Sequence, residues 1–171
     1  AGFAGADLEN VLNEAALLAA RRNLEEIGMK EIEDAMVKVT MGPEKKTRVR
    51  SEKENRLVSY HEAGHAICVF LSQIKRIRDI SIIPTQEFFG RVATYPLNEY
   101  GKMTKQDFEI EIMISLAGRV AEDVFFNSPT SGAKGDLEKT TKLVKQYLTE
   151  FCFDEEIGIA PVSCLSLEQL A

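Results

Sequence analysis

The segment His61-Glu62-Ala63-Gly64-His65 constrains this 171-residue chain most, because it contains both of the chain's histidines. On an α-helix, residues four apart lie on one face, one turn apart along the axis. Two imidazoles placed in this way can bind one metal ion, and the carboxylate beside the first can reach a water on that ion. Neutral imidazole is a good zinc ligand, and a catalytic zinc keeps one position open for water. The segment therefore predicts a helix that binds zinc through His61 and His65, with Glu62 as the proton acceptor.

The third zinc ligand is expected to be a carboxylate from a later element, because no histidine remains. Leu71 stands where the third histidine of the longer three-histidine zinc motif would lie, so that class is excluded. Asp136 opens a predicted helix after a glycine-containing loop, and its position suits a metal ligand and a helix N-cap about equally. Position alone leaves eight candidates: Glu87, Glu99, Glu109, Glu111, Glu122, Asp123, Asp136 and Glu138.

The periodicity of apolar residues predicts a mainly α fold with a small β element. Helices are predicted over residues 8–22, 30–39, 51–72, 104–127 and 136–151. Ser51 with Glu54, and Thr104 with Asp107, fit helix capping signals. Strands are predicted over residues 79–83 and 90–95, each followed by a proline. Gly42-Pro43 and the charges after it indicate a domain boundary.

Composition limits the classes of function. The net charge of -6 argues against nucleic acid as the main partner, and the basic stretch 45–50 is interpreted as a solvated linker. Three cysteines far apart in sequence suit free thiols in a reducing compartment. No apolar run approaches the ~20 residues that span a bilayer. Both ends of the chain are abrupt, and we expect a fragment of a longer protein.

Several stretches carry a more specific signal, and they occur in a fixed order. They are GFAGADLENVLNEAALLAARR, MGPEKK followed by SEKE and YHEAGHA, LAGRVAED, TSGAKGDLEKTT and FCFDEEIG. Together they cover nearly the whole chain and resemble the FtsH family of AAA+ zinc proteases. In the last stretch, Cys152 stands where the family has glycine.

The resemblance implies a domain organisation. Residues 1–41 correspond to the C-terminal part of the AAA+ helical lid, 42–51 to a linker, and 52–171 to a C-terminally truncated, zincin-type peptidase domain. The chain has no phosphate-binding loop of the Gly-x-x-x-x-Gly-Lys-Ser/Thr type, so ATP and Mg²⁺ are expected only in the complete protein.

The resemblance also implies roles for individual residues. His61, His65 and Asp136 are the implied ligands of one Zn²⁺ per chain, and Glu62 is the implied general base. Glu122 is expected near the histidines, either to orient a ligand imidazole or to form a structural ion pair.

Substrates and partners follow from the same resemblance. Phe88, Phe89 and Gly90 correspond to the end of an edge strand along which an extended substrate could lie. The complete protein is expected to be a membrane-anchored, ATP-dependent homo-hexamer that degrades unfolded and membrane polypeptides in protein quality control. Its expected location is the cytoplasmic face of the bacterial inner membrane, or an organellar inner membrane in a eukaryote.

Two alternatives remain open at this stage. One is a non-catalytic module for peptide binding or assembly that keeps the fold without a working metal site. The other is an unrelated zincin with a glutamate ligand, for which Glu122 would be the natural candidate.

Overall fold

The computed structural model describes residues 3–42, 50–85, 88–97, 102–156 and 158. Helices dominate and two strands form a small sheet, as predicted. The predicted linker therefore lies mostly outside the described residues, as do Glu87 and Glu99. The elements in chain order are α1 (Gly5–Arg21), α2 (Met29–Met41), α3 (Glu52–Ser72), β1 (Lys75–Ser81), β2 (Arg91–Pro96), α4 (Lys105–Phe126), a 3₁₀ turn (Ser131–Ala133), α5 (Lys134–Lys145) and a π-helical turn (Gln146–Glu150).

The first two helices pack on each other through small apolar side chains. Val11 and Ala15 of α1 and Ala35 of α2 are buried in one cluster. Arg22, just after α1, donates to Glu31 of α2 at 2.8 Å and so joins the two helices at their connection. None of the helices in the described part of the chain is both long and apolar enough to cross a membrane.

Helices α3 and α4 begin where their capping residues predict. The Ser51 hydroxyl accepts from the Glu54 N–H, and the Glu54 carboxylate accepts from the Ser51 N–H at 2.9 Å. Thr104 and Asp107 form the same reciprocal pair at the start of α4. Each pair satisfies backbone donors that the first helical turn leaves free.

Gly64 allows α3 and α4 to approach closely. A Cβ at this position would come 2.5 Å from the Ala117 carbonyl oxygen and 2.8 Å from the Ala121 Cβ. Glycine costs up to about 1 kcal/mol relative to alanine inside a helix, and here the contact between helices accounts for it. The Tyr60 ring contacts Phe125, while His65 bonds to the Ile114 carbonyl, so the two helices run antiparallel.

The strands differ in position from those predicted. Strand β1 starts at Lys75 and ends at Ser81, four residues earlier at its start than the predicted 79–83. Its antiparallel pairing with β2 extends from Lys75↔Pro96 to Ser81↔Arg91, with a bulge between Ile77 and Asp79. The isoleucines at 80, 82 and 83 placed the predicted strand too late in the sequence. The ladder also pairs the charged first half of β1, and burial alternates along the whole strand.

Helix α5 starts two residues before Asp136, and the N-cap alternative for that residue is wrong. Ala133 precedes the helix, and Thr130 caps the 3₁₀ turn by accepting from the Gly132 N–H. Asp136 is the third residue of α5, where the positive end of the helix dipole stabilises a carboxylate. After the π-helical turn, Cys152 adopts a left-handed backbone with φ of 51°, a conformation that favours glycine.

Candidate metal centre

His61, His65 and Asp136 bring one side-chain donor atom each to a common point. His61 Nε2 lies 3.1 Å from His65 Nε2 and 3.1 Å from Asp136 Oδ2, and His65 Nε2 lies 3.5 Å from the same oxygen. Within the described residues this is the one group of three His, Cys, Asp or Glu side chains that could hold a metal ion. The helical turn supplies both rings, and the start of α5 supplies the carboxylate from a distance of 75 residues in sequence.

The hydrogen bonds made by the two Nδ1 atoms determine that each ring presents its Nε2 atom to Asp136. His61 Nδ1 lies 2.7 Å from Glu122 Oε1, and His65 Nδ1 lies 2.7 Å from the Ile114 carbonyl oxygen. Both partners are acceptors, so each Nδ1 carries the proton and donates it. In the neutral form of both rings, each Nε2 lone pair points toward the other ring and toward Asp136. Three electron-rich atoms converge, and a cation among them resolves their repulsion.

The distances between the donors fit zinc. An ion about 2.0–2.1 Å from each of several tetrahedrally placed donors separates those donors by about 3.3–3.4 Å. The observed separations are 3.1, 3.1 and 3.5 Å. Two imidazole nitrogens and one carboxylate oxygen leave the fourth tetrahedral position for water or substrate, which is the ligand number of a catalytic zinc site.

Gly118 of α4 provides space beside the two rings. A Cβ at this position would lie 2.5 Å from His61 Nε2 and would overlap His65 Nε2 as well. Contacts this short do not occur between a Cβ and a ring nitrogen, so any larger side chain would displace the histidines. The α4 backbone thus approaches the donor atoms as closely as a glycine permits.

Glu122 is fully buried and bonds to two donors. Its Oε1 accepts from His61 Nδ1, and its Oε2 accepts from the Thr130 N–H at 2.6 Å. It lies on the far side of the His61 ring from the common point, so it is placed to orient a ligand and is not itself a third ligand. The second bond ties the loop before α5 to α4, and that loop positions Asp136.

The pKa of His61 is raised and the pKa of Asp136 is lowered. Burial lowers the pKa of His61, but the hydrogen bonds to Asp136 and Glu122 outweigh it, and the net pKa is raised. Burial raises the pKa of Asp136, but the hydrogen bonds from His61 and His65 outweigh it, and the net pKa lies well below the ordinary value. Without a metal ion, a proton on the imidazole relieves the same repulsion.

Glu62 is buried beside the histidines with an altered acidity. Its side chain is 7% exposed, and burial raises its pKa, against the opposing charges of His65, His61 and Arg50. The Gly90 backbone packs directly on it, since a Cβ on Gly90 would come 2.5 Å from Glu62 Oε1. A buried carboxyl with a raised pKa is suited to accept a proton and return it during a reaction.

The other candidate carboxylates that the structure describes lie elsewhere. Glu109 accepts from the Tyr147 hydroxyl at 2.8 Å, and Glu111 pairs with Lys75 and Lys139. Asp123 is exposed on α4. Glu138 pairs with Lys134, with 3.6 Å between Glu138 Oε1 and Lys134 Nζ. None of these four belongs to the group that could bind a metal ion.

Phe88, Phe89 and Gly90 lie in the connection between β1 and β2, so their placement in an edge strand is wrong. The two phenylalanines are each 48% exposed, whereas Gly90 is buried against Glu62. The Arg50 guanidinium donates to the carbonyls of Ile82 and Phe89. Interpreting Arg50 as a solvated linker residue missed this contact, which no local sequence pattern signals.

Sequence comparisons match two consecutive segments of the chain to known families. The model of Peptidase family M41 matches residues 48–168, and that of the AAA+ lid domain matches residues 1–34. ATP-dependent zinc metalloprotease FtsH 1 of Thermoanaerobacter sp. (strain X514) and the FtsH of Ruminiclostridium cellulolyticum are each 43% identical over 92% of this chain. The FtsH of Streptococcus pneumoniae (serotype 4) is 41% identical over the same share.

This chain spans only about a quarter of each of these relatives, 26%, 26% and 24% of their lengths. The match covers the helix with both histidines and the helix with Asp136, and it excludes an unrelated zincin. Residues 1–34, before the peptidase segment, match the AAA+ lid domain. The chain therefore belongs to peptidase family M41, with zinc metalloproteases named FtsH among its relatives.

Proposed function

We propose that this chain is a zinc-dependent endopeptidase unit in which His61, His65 and Asp136 hold one zinc ion. The observation that carries the proposal is the convergence of two Nε2 atoms and one carboxylate oxygen within 3.1–3.5 Å of each other. Both Nδ1 atoms donate to other acceptors, so the Nε2 lone pairs are the ring donors available to a metal ion.

Zinc bound by these donors supplies a polarising charge for the scissile carbonyl and acidifies the attacking water. Glu62 follows His61 directly in the helix, and its buried carboxyl has a raised pKa. As general base it accepts a proton from the attacking water and returns it to the leaving amine nitrogen. Glu122 holds the His61 ring in the tautomer and orientation that zinc requires.

The sheet beside this site supports extended polypeptide as the substrate. Across the described residues the sheet has two strands, so no third strand pairs with the outer edge of β2. A substrate segment added along this edge would be held by main-chain hydrogen bonds, which tolerate many sequences. The exposed rings of Phe88 and Phe89 lie at the end of the hairpin, where they can contact substrate side chains.

For the complete protein we propose ATP-dependent degradation of unfolded and membrane polypeptides by a homo-hexamer on the cytoplasmic face of a membrane. The relatives' names include ATP dependence, and the match to the AAA+ lid domain supports an attached ATPase. ATP and Mg²⁺ would act in that ATPase. The hexamer and the membrane location rest on the family resemblance.

Glu62→Gln tests the peptidase against a non-catalytic module. The zinc-loaded chain should cleave casein, and Glu62→Gln should lower the rate by at least about a hundredfold while zinc stays bound at wild-type stoichiometry. Glu52→Gln is the matched control, because Glu52 is exposed at the far end of the same helix. Unchanged cleavage by Glu62→Gln, or a zinc-loaded wild type with no activity, would contradict the proposal for this chain.

A further inference from the structure

Arg50 connects both arms of the β-hairpin beside the candidate site. One guanidinium nitrogen donates to the Ile82 carbonyl at 2.8 Å, and another donates to the Phe89 carbonyl. The guanidinium also lies 5.7 Å from the centre of the Phe89 ring. A planar guanidinium makes such a forked contact with little loss of freedom per hydrogen bond.

The fork acts where the backbone ladder has ended. The last ladder pair is Ser81↔Arg91, and the two acceptor carbonyls lie just beyond it on opposite arms. Ile82 follows β1 directly, and Phe89 precedes β2 by two residues. The guanidinium therefore bridges the two arms at the neck of the hairpin, between the last ladder pair and the Thr85–Phe88 backbone hydrogen bond in the loop.

Arg50 is adjacent to the start of α3, the helix that carries Glu62. Arg50 directly precedes Ser51, the N-cap of α3, and the same helix carries Glu62. The residue after Phe89 is Gly90, whose backbone packs directly on the Glu62 carboxyl. Arg50 thus links the start of α3 to the hairpin segment that covers the Glu62 carboxyl.

We propose that Arg50 is a positioning residue for peptide hydrolysis, because it holds the Phe89–Gly90 backbone against Glu62. This inference rests on the proposed function, since Glu62 is the proposed general base. Arg50 is not a member of the metal-binding group, although its charge also lowers the pKa of the Glu62 carboxyl. Losing the fork should let the hairpin neck open and leave the carboxyl less well placed, without removing any zinc ligand.

The first test measures whether Arg50 keeps the two arms of the hairpin together, and it needs neither zinc nor activity. Thr85 donates its N–H to the Phe88 carbonyl at 2.9 Å, so its amide reports opening of the hairpin. Arg50→Gln should raise hydrogen exchange at Thr85 about tenfold or more, because charge-assisted hydrogen bonds are lost. Arg56→Gln is the matched control: Arg56 also lies 5.7 Å from an aromatic ring centre, that of Tyr60, on the exposed side of α3.

The second test measures the consequence for catalysis. With a peptide substrate and full zinc loading, Arg50→Gln should lower kcat about tenfold to a hundredfold, with KM changed less than about threefold. Arg50→Lys restores the charge without the planar fork, so it should behave like Arg50→Gln in both tests. Arg56→Gln should match the wild type.

The two tests separate the failure of this inference from failure of the proposed function. A zinc-loaded wild type with no activity refutes the peptidase for this chain, while the exchange result still decides whether Arg50 holds the hairpin. Unchanged hydrogen exchange at Thr85 in Arg50→Gln overturns the claim that Arg50 keeps the hairpin arms together. Unchanged kcat, a rise in KM alone, or full recovery by lysine overturns the positioning role.

Discussion

Replacing Glu122 by glutamine removes one acceptor oxygen from a position where two donors meet. The wild-type carboxylate is fully buried and accepts from His61 Nδ1 at 2.7 Å and from the Thr130 N–H at 2.6 Å. Glutamine has nearly the same shape but only one acceptor oxygen, and its amide group faces the remaining donor. The substitution therefore tests hydrogen bonding with little change in packing.

The magnitude of the effect follows from which donor loses its partner. A buried donor without an acceptor costs about 1–3 kcal/mol. If the amide turns toward Thr130, this cost appears as a lower free energy of unfolding. If it turns toward His61, the ring loses its orientation, and zinc affinity falls about tenfold to a hundredfold, as for other outer partners of ligand histidines.

Two measurements on the same protein determine this outcome. Zinc affinity is measured by competition with a chromophoric chelator, and the free energy of unfolding is measured with denaturant on the metal-free chain. Asp123→Asn is the matched control, because Asp123 is the next residue on α4 and is exposed. Zinc affinity within about threefold of wild type, together with a free energy of unfolding changed by less than about 0.5 kcal/mol, would refute the reasoning.

Two further predictions concern the space at the site and the start of a helix. Gly118→Ala should lower zinc affinity at least about tenfold, because the added Cβ overlaps both Nε2 atoms, whereas Gly135→Ala, with open space around its Cβ position, should keep wild-type affinity. Equal affinities for the two alanine variants would contradict this account. Thr104→Ala should lower the free energy of unfolding by about 1 kcal/mol at pH 7. Hydrogen bonds from the Thr104 backbone and side chain lower the pKa of Asp107, so their stabilisation is present above pH 3.8, the ordinary value, and is lost as pH falls below it. The deficit should therefore shrink in acid, and a deficit that grows there would contradict the reciprocal cap.

The sequence predicted the helical part of the site because its signals are local. A four-residue spacing on one helix is enough to place His61 and His65 on one face, and capping pairs mark the starts of α3 and α4. Gly64 is a glycine inside α3, and the structure shows that it allows the close approach of α4. Gly118, another glycine inside a helix, carries the same local signal, and its contact with both histidines was not predicted.

The remaining contacts depend on the packing of distant segments, which local patterns do not encode. From position alone eight carboxylates fitted the third ligand position, and only the family resemblance pointed to Asp136, which the fold brings to the histidines. The bond between Glu122 and the Thr130 N–H depends on the path of a loop. The contact of Arg50 with the hairpin joins residues 32 and 39 positions away, although the residue stands in a stretch with the composition of a linker.

A crystal structure of the zinc-loaded chain, with anomalous data collected on both sides of the zinc absorption edge, tests the central claim most directly. We predict a single strong peak about 2.0–2.1 Å from His61 Nε2, His65 Nε2 and an Asp136 oxygen. We also predict that the peak is lost in Asp136→Asn at limiting zinc. A peak coordinated by other side chains, or a folded wild-type chain without a peak between these three residues, would contradict the account.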